Sequence, residues 1–242
     1  MARLTWDAAA DRIYETGVDR VVLFPMFGSI MTDSAYGQGK AWNGVTGITE
    51  SPEGADANDI YADNMKYLSL ISVENWKATI KAYTWPNEFN RCQGEIEYND
   101  GTNKGLFFGQ QNHAKFGLAW RTIVGNAVAG DSYGYKLHVA YGLTAAPSEK
   151  DHATVNDSPE ATEFSWELNS VPDAFVTTTD PTTNDVLAPV SHIVVDSINN
   201  PEGYAALEAA LFGTDESAQG EGDDTPAYLP TPDELIELVN IS

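Results

Sequence analysis

The chain has 242 residues, 42% of them hydrophobic and 11% aromatic, with 13 Lys and Arg against 36 Asp and Glu for a net charge of −23. That is enough apolar material for one large β domain or two small ones, but the charge is wrong for a nucleic-acid binder, whose affinity comes from Lys and Arg that displace counterions from phosphate. Cys92 is the single cysteine, which excludes an internal disulfide and a Cys-rich zinc site.

The opening MARLTWDAAADRIYETG has no continuous apolar stretch of signal-peptide length. No later window approaches the roughly 18 apolar residues of a membrane helix, so a soluble protein is expected. Asp19 to Pro25 reads as a short strand and Ala41 to Glu50 as another. Ser51 to Asn64, rich in turn formers and acids, reads as a long loop. Met65 to Val73 and Asn75 to Thr84 follow as extended segments. In the second, Trp76, Ala78, Ile80 and Ala82 alternate with Lys77, Thr79, Lys81 and Tyr83 until Pro86 stops the strand. Gly94 to Tyr98 reads as a short edge strand running into Asn99-Asp100-Gly101, a hairpin signal. Lys115 to Val124 alternates Phe116, Leu118, Trp120 and Thr122 with Gly117, Ala119 and Arg121, the pattern of a central strand.

Tyr133 to Val171 carries the clearest pattern. Tyr135, Leu137, Val139, Tyr141 and Leu143 alternate with Gly134, Lys136, His138, Ala140, Gly142 and Thr144, and Phe164, Trp166 and Leu168 alternate with Glu163, Ser165, Glu167 and Asn169. Period two places one apolar row of each strand on a core, as in half-buried sheet. After a polar loop at Thr177 to Asn184, Val190 to Ser197 supplies a last strand. Asn199-Asn200-Pro201-Glu202 offers a cap, a first-turn proline and an acid for a helix near 200–212, with Tyr204, Leu207 and Leu211 at helical spacing and Gly213 at its end. Asp215 to Thr225 has linker composition. Thr231-Pro232-Asp233-Glu234 is a capping box for a second, short helix. The fold class that follows is mainly β, an antiparallel sandwich or barrel with a flanking helix. Residues 1–212 would form the β domain and 213–242 an acidic flexible linker with a short C-terminal helix.

The chain shows no catalytic, metal or cofactor motif. Glu163 and Glu167 share a strand face but lie about 13 Å apart at roughly 3.3 Å per residue, beyond the roughly 5–10 Å of a glycosidase pair. His113, His138, His152 and His192 have no zinc-ligand spacing. Asp56, Asn58, Asp59 and Asp63 fail the EF-hand order at Ile60. No GxSxG elbow, phosphate loop or dinucleotide fingerprint is present. Trp42, Trp76, Trp85, Trp120 and Trp166 suit sugar stacking in principle, but most sit on predicted apolar rows, where core packing is the ordinary reading. No enzyme and no cofactor are expected.

Charge is divided unevenly. All 13 basic residues lie between Arg3 and Lys150 and face 17 acidic ones there, whereas 151–242 holds 19 acidic residues and no Lys or Arg. Solubility alone accounts for such a surface.

The runs GDSYGYKLHVAYG, APSEK and NDSPEATEFSWE, with TGITESPEGADANDIYADNMKYLSLISVENWKATIKAYTWPNEF and FGQQNHAKFGLAWRT upstream and LEAALFGTDE and LPTPDELIEL downstream, resemble the major tail proteins of long-tailed bacteriophages with non-contractile tails. The acidic segment Gly213 to Pro230 is longer than that family leads one to expect. The resemblance implies a virion protein, present in host cytoplasm during assembly. Its copies would form stacked hexameric rings around a tape-measure protein, meet other tail proteins at the tube ends, and later conduct DNA, with no membrane partner. By the same analogy the long loop reaches the adjacent ring, so Pro52, Glu53, Ile60 and Tyr61 are the expected inter-ring contacts. The alternatives are a capsid decoration or baseplate β-protein, and a carbohydrate-binding β-sandwich.

Overall fold

Strand periodicity governs most of the chain, and the computed structural model resolves it into twelve strands and two α-helices among the residues it describes: 6, 8–26, 36–54, 56–72, 74–99, 101, 104–150, 152, 154, 161–171, 183, 189–215 and 224–240. In chain order the strands are β1 (Ile13–Pro25), β2 (Lys40–Ala41), β3 (Val45–Glu50), β4 (Ala57–Ala62), β5 (Met65–Ile71) and β6 (Lys77–Ala82). They continue with β7 (Ile96–Tyr98), β8 (Leu106–Phe108), β9 (Phe116–Asn126), β10 (Gly130–Pro147), β11 (Phe164–Ser170) and β12 (His192–Asp196). The helices are α1 (Pro201–Phe212) and α2 (Pro232–Val239).

Eight strands form one antiparallel sheet in the order β2-β1-β9-β10-β11-β6-β3, with β12 also paired to β10. β3, at one end of this path, packs against β1 near the other, so the sheet curls around an interior. The interior is aromatic. Trp42, Phe89, Phe116, Trp120 and Trp166 fill it with Leu23, Ile80, Leu118 and Leu168, and Trp85 and Phe164 pack at its margin. Trp42, Trp76, Trp120 and Trp166 are therefore core residues and Trp85 packs partly buried against them, whereas Trp6 is exposed; the alternation expected of Lys115 to Val124 and of Asn75 to Thr84 is realised in β9 and β6.

The half-buried reading of β10 needs correction. In β1, Val21 and Leu23 face the interior while Val22 and Phe24 face outward, and both rows are buried. The same holds for β9 and β10, because α1, α2 and Leu229 cover the outer face of these three strands and build a second core on Val22, Phe24, Ala119, Leu137, Val139 and Tyr141. Two cores share one sheet. Residues of the supposedly solvated row, Ala140 and His138, are buried with the rest.

Gly142 breaks the row itself. The register with β9 shifts between Ala140 and Leu143, and Gly142 takes φ 61°, a conformation that costs a side-chain-bearing residue strain. A Cβ there would lie 2.4 Å from the Val171 carbonyl oxygen. The bulge reverses parity, so Tyr141 points to the outer core and Leu143 to the inner one.

Both helix starts follow the sequence. The Asn200 side chain accepts from the Gly203 N–H, with Pro201 in the first turn, and Thr231 and Glu234 form the reciprocal capping box. The expected boundary at residue 213 does not separate two bodies, however. Leu229 and Leu235 are buried in the outer core, Gly39 N–H donates to the Ala227 carbonyl at 2.9 Å, and Tyr141 Oη–H donates to the Pro230 carbonyl at 3.0 Å. Residues 224–240 complete the β domain. Of the predicted linker, residues 216–223 lie outside the described residues, as do all of Thr177–Asn184 but Thr183.

Candidate functional site

The segment expected to be a loop, Ser51 to Asn64, is instead the first half of a β-hairpin. β4 and β5 pair antiparallel from Ala57↔Ile71 to Ala62↔Met65, and Asp63 and Asn64 both take positive φ, 52° and 61°. That is the requirement of a two-residue type I′ turn, whose twist matches the flanking strands. The register skips once, between Ile60 and Tyr61, so Tyr67 is an extra residue on β5. Lys66 lies 2.7 Å from Asp59, and the Ser69 hydroxyl donates to Asp59 at 2.6 Å; these two contacts hold the Asp59 carboxyl below its ordinary range.

This hairpin pairs with no strand of the main sheet, yet it is the outward continuation of one. Ser51 N–H donates to the Lys77 carbonyl, Glu53 and Asn75 exchange backbone bonds at 2.9 and 2.7 Å, and Ser72 N–H donates to the Asp56 carbonyl. The β3–β6 ladder thus runs on into β4–β5 as one arm, with β4 alone reaching about 20 Å at roughly 3.3 Å per residue. Apolar side chains stand on both its faces. Ile60, Leu68 and Leu70 share one face and Ile71 lies on the other, while Tyr61, Tyr67 and Ile71 are 68%, 70% and 73% exposed. A concentration of exposed apolar side chains on a projecting element is characteristic of a surface that another protein covers.

The four expected contact residues are divided by the arm. Ile60 and Tyr61 lie near its tip. Pro52 and Glu53 lie at its root, where Glu53 pairs with Asn75 through the backbone and with Lys77 through its carboxylate. The reading missed Met65, Tyr67, Leu68, Leu70 and Ile71, although the apolar content of MKYLSLI is plain in the sequence. A second, smaller projection resembles the first. Among the described residues β7 and β8 pair only with each other, and Tyr98, Leu106, Phe107 and Phe108 are exposed on it. Lys77 and Lys81 of β6 pair with Glu53 and Glu163.

A polar cluster lies on the main sheet next to the root of the arm. At one end of the barrel, Glu50 of β3, His138 of β10 and His192 of β12 bring their ligand atoms within 4.8 Å of one another. No spacing rule finds this set, because the sheet assembles it from three strands. His138 is buried beside Trp120, its cross-strand partner, with ring centroids 5.0 Å apart. Burial lowers the pKa of both histidines, that of His192 to about 4, against the opposing pull of Glu50. Burial also pushes Glu15 up, but bonds from Lys136 and Thr122 outweigh it and leave this carboxyl below its usual range.

No family model matches the chain, and no curated protein matches it.

Proposed function

We propose that this protein is a structural subunit of a bacteriophage tail tube, its copies closing into hexameric rings that stack around a tape-measure protein and later pass DNA. The observation that carries the reading is the β4–β5 arm: a long hairpin, apolar on both faces and, among the described residues, paired with no other strand, which suits a contact between stacked rings. An isolated two-stranded hairpin is marginal in water by itself, so an arm of this kind gains its order by packing on a neighbour. The sequence resemblance points the same way. Acidic surface suits the conduit, since like charge repels the duplex over a Debye length of about 8 Å at physiological salt. The subunit performs no catalysis, and the other tail proteins meet the tube at its ends.

Negative-stain microscopy of the concentrated chain tests this. Tubes of regular repeat are expected, and replacing residues 56–72 by a short Gly-Ser turn should leave a folded subunit that forms no tubes. A chain that yields no polymer even with the other tail components, or a variant that polymerises normally, overturns the proposal. A capsid decoration or baseplate protein would give the first of these outcomes.

A further inference from the structure

We propose that Glu50, His138 and His192 bind one zinc ion at the end of the barrel. The spacing fits. His138 Nδ1 and His192 Nε2 are 3.3 Å apart, and two nitrogens each about 2.05 Å from a tetrahedral zinc are separated by about 3.3 Å. Glu50 Oε1 lies 3.8 Å from His138 Nδ1, so a small carboxylate rotation completes a three-ligand set.

The surrounding hydrogen bonds orient those atoms. Thr122 Oγ1–H donates to Glu15 at 2.7 Å, so its contact with His138 Nε2 at 3.0 Å must be the ring N–H donating to the hydroxyl oxygen. Glu15 Oε1 lies 3.4 Å from the same ring nitrogen and accepts there too. The proton of neutral His138 is thereby on Nε2, and Nδ1 presents a bare lone pair. A carboxylate or hydroxyl behind the far nitrogen of a histidine is the usual support of a metal ligand. Trp76 Nε1–H donates to Glu50 Oε2 at 3.2 Å and steadies the carboxylate, leaving Oε1 on the side of His138.

The simpler account is a hydrogen bond from His192 Nε2–H to His138 Nδ1. That tautomer leaves His192 Nδ1 bare, facing the Glu50 carboxylate at 3.8 Å, lone pair against negative charge. With the proton on Nδ1 instead, toward Glu50, the two bare nitrogens of His138 and His192 meet at 3.3 Å. A cation between them removes the conflict. Two imidazoles and one carboxylate select a borderline transition ion over magnesium or calcium, and three protein ligands leave a fourth position for water or a group from another molecule. Bound there, the ion would tie β3 to β10 and β12 across the end of the barrel.

The test uses the full, tag-free chain, stripped with chelator and titrated with zinc chloride by calorimetry. One ion per chain is expected, with a raised thermal midpoint. Loss of an outer-shell partner weakens metal sites about 10- to 100-fold, so His192→Ala and Glu50→Gln should each lower affinity about 100-fold or more with circular dichroism unchanged. Glu50→Gln preserves shape at a partly exposed position, and cobalt(II) absorption of the unaltered chain gives a reading independent of any variant. Intense visible bands of a four-coordinate site support the assignment. Absence of saturable zinc binding, a cobalt spectrum no different from that of free aqueous ion, or unchanged affinity in both variants overturns it. Binding is read on the single chain, so it stands or falls apart from ring assembly.

Discussion

At the scale of single residues, Gly142 and Cys92 show how strongly local surroundings fix chemistry. Gly142→Ala adds a Cβ 2.4 Å from a backbone oxygen at a positive φ, so the variant should lose at least about 2 kcal/mol, read as a lower denaturant midpoint. An unchanged midpoint would mean that the bulge is not needed. Cys92 is buried, and burial raises its thiol to about 12. At pH 8, far below that value, it stays protonated and should not react with a thiol reagent until the protein is denatured. Rapid labelling of the native chain would contradict this. The alternation of the sequence puts His138 on the solvated row, because nothing in YGYKLHVAYG announces a second layer over the sheet.

Elements were legible where period two faced one core. β6 and β11 keep one apolar row inward, and the helix caps at Asn200 and Thr231 stand where Pro201 and the capping box place them. In the arm, Met65 to Ile71 is extended as its sequence indicates, but β4 is hidden because acids and turn formers dominate SPEGADAND, and the Asp-Asn pair at its turn is a weaker signal than Asn-Gly. In the C-terminal segment the short helix is legible and its packing onto the sheet is not, for the opposite reason. Its acidic composition describes the surface, while Leu229 and Leu235 decide where it goes. Fully burying a leucine contributes about 1.5–3 kcal/mol, so truncation after Gly213 should cost the chain several kcal/mol and expose the outer core, seen as dye binding and a lowered thermal midpoint. A truncated chain as stable as the full one would show that residues 224–240 are an appendage.

At the scale of the whole molecule, the chain carries −23. In the proposed ring six such copies would repel one another, so added salt should speed tube growth measured by light scattering, because screening weakens that repulsion. Preformed tubes that dissolve at moderate salt would count against rings held by apolar and backbone contacts. The fold class was readable from strand count and alternation alone. The candidate zinc site was not, because Glu50, His138 and His192 meet only once the sheet has curled.

The shared register of β3–β6, the Glu53–Asn75 bridge and the arm has a mechanical consequence. A pull on the tip runs along the strands, so many backbone bonds bear it together in shear, and no single rung can be peeled away first. Whatever grips the far end is thereby anchored in the barrel wall itself.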